Sequence, residues 1–189
     1  MIKEEGPVLA GAITGRKFFT KLLDATANEP PTPEPLFLDF AGVDVATASF
    51  LRESVLAFRK TIRARRSNFY PIIANVNKVV LDEIAVLLGP RGDALIICSL
   101  DEKGEPYASR LLGALDPKQR ITFDLVQKLE ETEETNAAEL YKDHEKDKIE
   151  QTAWNNRLSA LAALGLIVEL SYGRSKRYRP LLKGVEYGA

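Results

Sequence analysis

The chain has 189 residues, 45% of them hydrophobic and 28% charged, with a formal net charge of -1. That balance excludes a disordered or collagen-like chain, and it leaves a polyanion partner only a local patch to meet. A single cysteine, Cys98, excludes an internal disulfide and a cysteine-based zinc site, and no stretch reaches the roughly 18 apolar residues of a membrane-spanning helix. The N-terminal "MIKEEGPVLAG" carries neither a basic nor a long apolar leader segment, so the sequence reads as soluble and cytoplasmic, in one large domain or two small ones.

The first half alternates strand-like and helix-like segments. "PVLAGAIT" suits a strand, and "GRKFFTKLLDATAN" suits a helix with Phe18, Phe19, Leu22 and Leu23 on one stripe. The Pro-rich "EPPTPEP" is an extended connector. "LFLDFAGV" suits a strand covered on both faces. "TASFLRESVLAFRKTIRARR" is a long amphipathic helix with Leu51, Val55, Phe58 and Ile62 turned inward. "FYPIIANV", "KVVLDEIAVLLG" and "DALIICSL" repeat strand, helix and strand, with Cys98 as a small buried hydrophobe. This alternation predicts an α/β layer with parallel strands joined by crossover helices. "YASRLLGAL" either adds an edge strand or begins the exit from that layer.

The rhythm changes at Asp116-Pro117. Three helical segments follow, "TFDLVQKLEE", "NAAELYKDHEK" and "TAWNNRLSALAAL", and then "LIVELSY" and "KRYRPLL" as a strand pair turning at Gly173-Arg174. The stretches "EETEET" and "KDHEKDKIEQ" read as solvated connectors and helix faces. On the third helix, Trp154, Leu158, Leu161, Ala162 and Gly165 fall on one side, while Thr152, Ala153, Asn156, Ser159, Ala160 and Ala163 fall on the other, with Arg157 at the flank. A helix facing only water usually carries Lys and Glu. Small and uncharged polar residues suit close approach to a surface such as a major groove, or reflect nothing more than helix propensity. In the strand pair, Arg174, Lys176, Arg177 and Arg179 crowd the turn, with Glu169 and Glu186 outside the cluster, so their charges are expected to be incompletely neutralised and suited to phosphate. Tyr172 and Tyr178 are expected to pack the hairpin on the helices.

"TAWNNRLSALAALGLIVELSYGRSKRYRPL", preceded by "NAAELY", resembles the recognition helix and wing of bacterial winged helix-turn-helix regulators over residues 118–183. The resemblance implies double-stranded DNA as partner, with Thr152, Asn156 and Ser159 toward bases, Arg157 toward backbone or base, and Arg174, Lys176, Arg177 and Arg179 toward phosphates. "LFLDFAGVDVATASFLRES" resembles the central strand, loop and helix of STAS domains, closest to the uncharacterised bacterial STAS-like family, over residues 6–115. The implied division is a STAS-like α/β domain at 1–115 and a winged helix-turn-helix domain at 116–189. The loop of Asp39, Gly42, Thr47 and Ser49 is the implied switch or docking site. Laid on the STAS pattern, Ala48 stands at the phosphoacceptor, so a phosphoswitch of the familiar kind is not implied. Thr47 and Ser49 remain as helix caps or as substitutes for that acceptor.

Arg16 in "TGRK" starts a helix or binds an anion, and "RKTIRARR" either complements its own helix dipole or faces DNA. No catalytic constellation is legible: His144 is alone in a charged segment, and phosphate-loop, HExxH and GxSxG patterns are missing. The expected function is a bacterial DNA-binding regulator, not an enzyme, without cofactor or metal and open to a protein partner or homodimer. The rival reading is a protein-interaction module of a partner-switching pathway that does not bind DNA.

Overall fold

The computed structural model describes residues 6–89, 92–130, 132–144 and 149–187. The N-terminal "MIKEE", Glu131 and the "EKDK" of the charged inter-helix stretch lie outside them. In chain order the elements begin β1 (Val8–Leu9), α1 (Ala12–Ala25), β2 (Glu34–Asp39), β3 (Val45–Ala46) and α2 (Ala48–Leu51). A π-helical segment, Arg52–Leu56, joins α2 to α3 (Ala57–Ala64); β4 (Phe69–Ala74), α4 (Lys78–Leu88), β5 (Ala94–Leu100) and β6 (Pro106–Gly113) follow. The chain then forms α5 (Pro117–Gln127), α6 (Ala137–Asp143), α7 (Gln151–Ala163), β7 (Ile167–Tyr172), β8 (Ser175–Pro180) and β9 (Glu186–Tyr187).

A five-stranded mixed sheet in the order β2-β4-β5-β6-β9 forms the centre. β2, β4 and β5 are parallel, β6 runs antiparallel to β5, and β9 runs parallel to β6. Each crossover from β2 to β5 moves the same way across the sheet, and right-handed connections then keep their helices on one face. That face holds one core, with Phe18, Leu22, Phe50, Val55, Phe58, Ile62, Val80 and Ile84 packed on Ile73, Leu95 and Ile97. Strand side chains alternate, so Tyr70, Ile72, Ala74, Ala94, Ile96 and Cys98 point to the opposite face. Those residues share a second core with Phe123, Trp154, Leu158, Leu161, Ile167 and Tyr178. The continuous apolar runs in the sequence therefore feed two cores, and α5–α7 with the β7–β8 pair roof the sheet face that the crossovers leave open.

Three expectations change. β2 is an edge strand whose residues are mostly half-buried, not a strand covered on both sides. "PVLAGAIT" contributes only Val8–Leu9 as strand, because Gly11 turns at φ 85 and α1 begins at Ala12. Gly15 is then inside the helix, where an added Cβ would stand 2.8 Å from Phe50 O; it permits the close approach of α1 to α2. "YASRLLGAL" becomes β6, an inner strand, because β9 pairs with its outer side and brings the end of the chain back to the first sheet.

Local sequence accounts for the remaining joints. The Ser54 hydroxyl donates to Phe50 O at 2.6 Å inside the π-helical segment, where a side chain competing for a helix carbonyl loosens the ladder. Asp116 caps α5 in a capping box with Gln119, and Pro117 stands at the first helical position. Asn136 caps α6 by accepting from Ala138 N and Glu139 N. Just before it, Thr135 makes an antiparallel bridge with Tyr178 of β8, with both N–H to O distances 2.8 Å. Among the described residues no helix is long and apolar enough to cross a membrane.

Candidate nucleic-acid interface

α7 buries Trp154, Leu158, Leu161 and Ala162, the stripe expected from its period. Thr152, Asn155, Asn156 and Ala163 are exposed. Asn155 joins the expected Thr152 and Asn156 on this face, and its place beside Asn156 at the start of the helix is the sequence signal for it. Ser159 is half-buried and shares a 3.2 Å hydrogen bond with the Tyr178 hydroxyl. Arg157 is half-buried with its guanidinium 5.1 Å from the Trp154 ring centroid. Trp154 itself is fully buried, and the His144 ring lies 5.7 Å away on its other neighbour, α6.

The hairpin corrects the expectation of unneutralised charge. Arg177 Nε stands 3.0 Å from Glu134, and its Nη1 stands 3.0 Å from Glu139. Its Nη2 donates to Glu134 O at 2.8 Å. Lys176 Nζ lies 3.0 Å from Glu169, which also accepts from the Tyr178 hydroxyl at 3.2 Å. "EETEET" thus supplies a carboxylate to the hairpin through the Thr135–Tyr178 bridge, and is more than a solvated connector. Arg174 projects at the turn, exposed, and has no carboxylate partner among the described residues. Arg179 is half-buried beside a cleft that Glu105 and Glu134 also line, and makes one 3.4 Å bond to Pro180 O. Strand alternation puts Tyr178 opposite Arg177 and Arg179, 1% exposed, with burial raising its hydroxyl pKa. Tyr172 does not pack inward: it is 56% exposed and donates to Glu134 at 2.9 Å.

The "RKTIRARR" stretch has a role that neither sequence reading contained. Arg59 donates to both Asp93 carboxylate oxygens at 2.9 and 3.0 Å, to Ala94 O, and to Leu164 O at 2.7 Å. Burial lowers its pKa, and the Asp93 charge opposes that shift. Arg63 donates to Ser67 O, Phe69 O and Ala162 O, and its guanidinium lies 3.8 Å from the Tyr70 ring centroid. Two buried arginines of α3 therefore bind carbonyls at the C-terminal end of α7, Arg63 that of Ala162 and Arg59 that of the capping Leu164. Gly165, at φ 72, ends α7 and leaves room for Arg63, whose Cδ would stand 3.3 Å from an added Cβ. The first half of α7 is open and its second half is docked on the α/β layer.

At the other end of the molecule, Asp39 accepts from Ala41 N at 3.0 Å and from the Asn75 side chain at 2.8 Å, closing the loop after β2. Gly42 makes the turn at φ 80. Thr47 caps α2, its Oγ1 accepting from Phe50 N at 3.4 Å and from Gly11 N at 3.2 Å, and it shares a 3.2 Å bond with Ser49. The four loop residues are thus brought to one end of the sheet as structural partners. Arg16 is exposed and its Nη1 stands 3.5 Å from Glu53. Burial pushes the Cys98 thiol up to about 11, with Asp39 adding to the shift. Among the described residues no group of three or more His, Cys, Asp and Glu stands together to hold a metal ion. No protein-family model matches this chain, and neither a curated protein nor a solved structure matches it.

Proposed function

We propose that the chain is a DNA-binding transcriptional regulator, in which a STAS-like α/β layer carries a winged helix-turn-helix unit. The observation that carries this reading is the open first half of α7: Thr152, Asn155 and Asn156 are exposed there without a charged neighbour among them. An uncharged face of this kind suits entry into a major groove, where Asn pairs with adenine edges through two hydrogen bonds. The order of α5, a single bridge at Thr135, α6, α7 and a hairpin supports the winged arrangement. Arg174 is the foremost phosphate contact, with Arg179 and Arg157 behind it. Lys176 and Arg177 serve to hold the hairpin, and Ser159 to hold Tyr178.

The test is a salt-titrated binding assay of the full chain on genomic DNA fragments. Binding should fall steeply as salt rises, and Arg174→Gln should reduce the log–log slope by about one unit. Binding that is absent at low salt would remove this reading. The rival, a module that docks a protein partner, is favoured by one feature: Val8 and Val45 are direct cross-strand neighbours and are 61% and 40% exposed. A flat salt titration together with a concentration-dependent sedimentation coefficient would decide for it.

A further inference from the structure

A cleft of roughly 660 Å³ opens where the Pro-rich connector and the end of α3 meet α7 and the hairpin. We propose that this cleft binds a small organic anion. The proposal concerns a separate ligand and holds whether or not α7 enters DNA.

The argument starts with Arg63. Its residue is 8% exposed, and its partners are three backbone carbonyls and the Tyr70 ring. None of these carries a formal charge, and its Nε has no partner among the described residues. A buried cation balanced by dipoles alone keeps a strong field, because little water screens it. Arg66 adds a second cation on the lining of the same cleft, exposed and without a carboxylate partner among the described residues. Its backbone has φ 54, a left-handed conformation at a helix end where glycine is the unstrained choice. A charged side chain held there at a conformational cost is the kind of outlier that accompanies binding sites.

The carboxylates offset only part of these charges. Glu169 is already paired with Lys176 within the hairpin wall of the cleft. Glu29, at the edge, is engaged by Ser67 Oγ at 2.8 Å and Asn68 N at 2.9 Å. Arg63, Arg66 and Lys176 therefore outnumber the acids that face them. Tyr70, Pro31, Pro33 and Leu170 line the same space and suit an apolar body attached to the anionic group. The volume is in the range of small-molecule sites. Arg63 is 8% exposed, so a small ligand suits this cleft better than a duplex backbone.

Phenyl phosphate and inorganic phosphate are the probes, measured on the full chain by thermal shift and isothermal titration calorimetry. Phenyl phosphate should raise the melting temperature saturably, and inorganic phosphate at equal concentration should raise it less. Arg66→Gly relieves the backbone strain, so this variant folds and melts no lower than the native chain; it should lose at least tenfold in phenyl phosphate affinity. Arg66→Gln should lose affinity to a similar degree. The proposal is overturned if neither probe shifts the native chain, or if Arg66→Gly binds phenyl phosphate as the native chain does. It is also overturned if Arg66→Gly weakens only DNA binding, which would assign Arg66 to the nucleic-acid backbone.

Discussion

The basic stretch at residues 59–66 and the basic hairpin at residues 174–179 manage their charge by different means. In the first, Arg59 and Arg63 are withdrawn from water and each meets several fixed oxygens, on Asp93 and on the carbonyls of β4, β5 and the end of α7. In the second, Lys176 and Arg177 stay at the solvent edge, paired with Glu169, Glu134 and Glu139, and Arg174 stays open. Guanidinium groups taken into the interior become structural ties, because desolvation makes every unmet donor expensive. Those at the edge keep their charge available unless a carboxylate happens to reach them. Cation density along the chain therefore does not measure what a polyanion would meet.

The largest effect should come from cutting the buried tie. Arg59→Ala removes the guanidinium from Asp93 and from the carbonyls of Ala94 and Leu164, and should cost about 3 kcal/mol of unfolding free energy in urea titrations. Arg59→Lys should recover only part of this, since one ammonium cannot reproduce a planar fork that spans three acceptors. A loss near that of an ordinary surface substitution, about 0.5 kcal/mol, would break the contrast between the two stretches.

Arg177→Gln sharpens the contrast from the other side. Its charge-assisted bonds to Glu134 and Glu139 are one-third exposed, so solvent screening reduces their worth, and about 1.5 kcal/mol of stability should be lost. Its effect on the salt slope of DNA binding should be small beside that of Arg174→Gln. An equal flattening of the slope by both variants would show that the Glu pairing opens on binding.

Much of this was legible in the sequence where the cause is local. The apolar stripe of α7, the turn at Gly173 and the strand–helix alternation behind the parallel β2, β4 and β5 follow from periods of a few residues. Thr152 and Asn156 were found by the same helical wheel. The rest depends on contacts distant in sequence. Leu164 O lies 105 residues from Arg59, and Glu139 lies 38 residues from Arg177, so no window of neighbours reveals either pairing. The bond between Ser159 and Tyr178 has the same origin, since the two are 19 residues apart. β2 read as a buried strand because its composition resembles that of β4; only the sheet order puts it at the edge.

The loop at Thr47 offers the smallest and most discriminating effect. Unlike the two basic stretches, it brings together uncharged donors and acceptors, and its hydroxyls have partners in the fold. Thr47 accepts from Phe50 N and Gly11 N, so one oxygen both caps α2 and ties the start of α1 to it. Thr47→Ala should cost about 1 kcal/mol, the usual worth of a helix cap. Thr47→Ser keeps the oxygen and should recover most of that. Among the described residues the Ser49 hydroxyl bonds only Thr47 Oγ1, and Ser49→Ala should cost a few tenths of a kcal/mol, within the ordinary range for a group near the surface. If Ser49→Ala proved as costly as Thr47→Ala, the oxygen organising this end of the sheet would be the serine's. The assignment of Thr47 as the cap would then fall, and Ser49 would become the residue to modify when probing the loop for a partner.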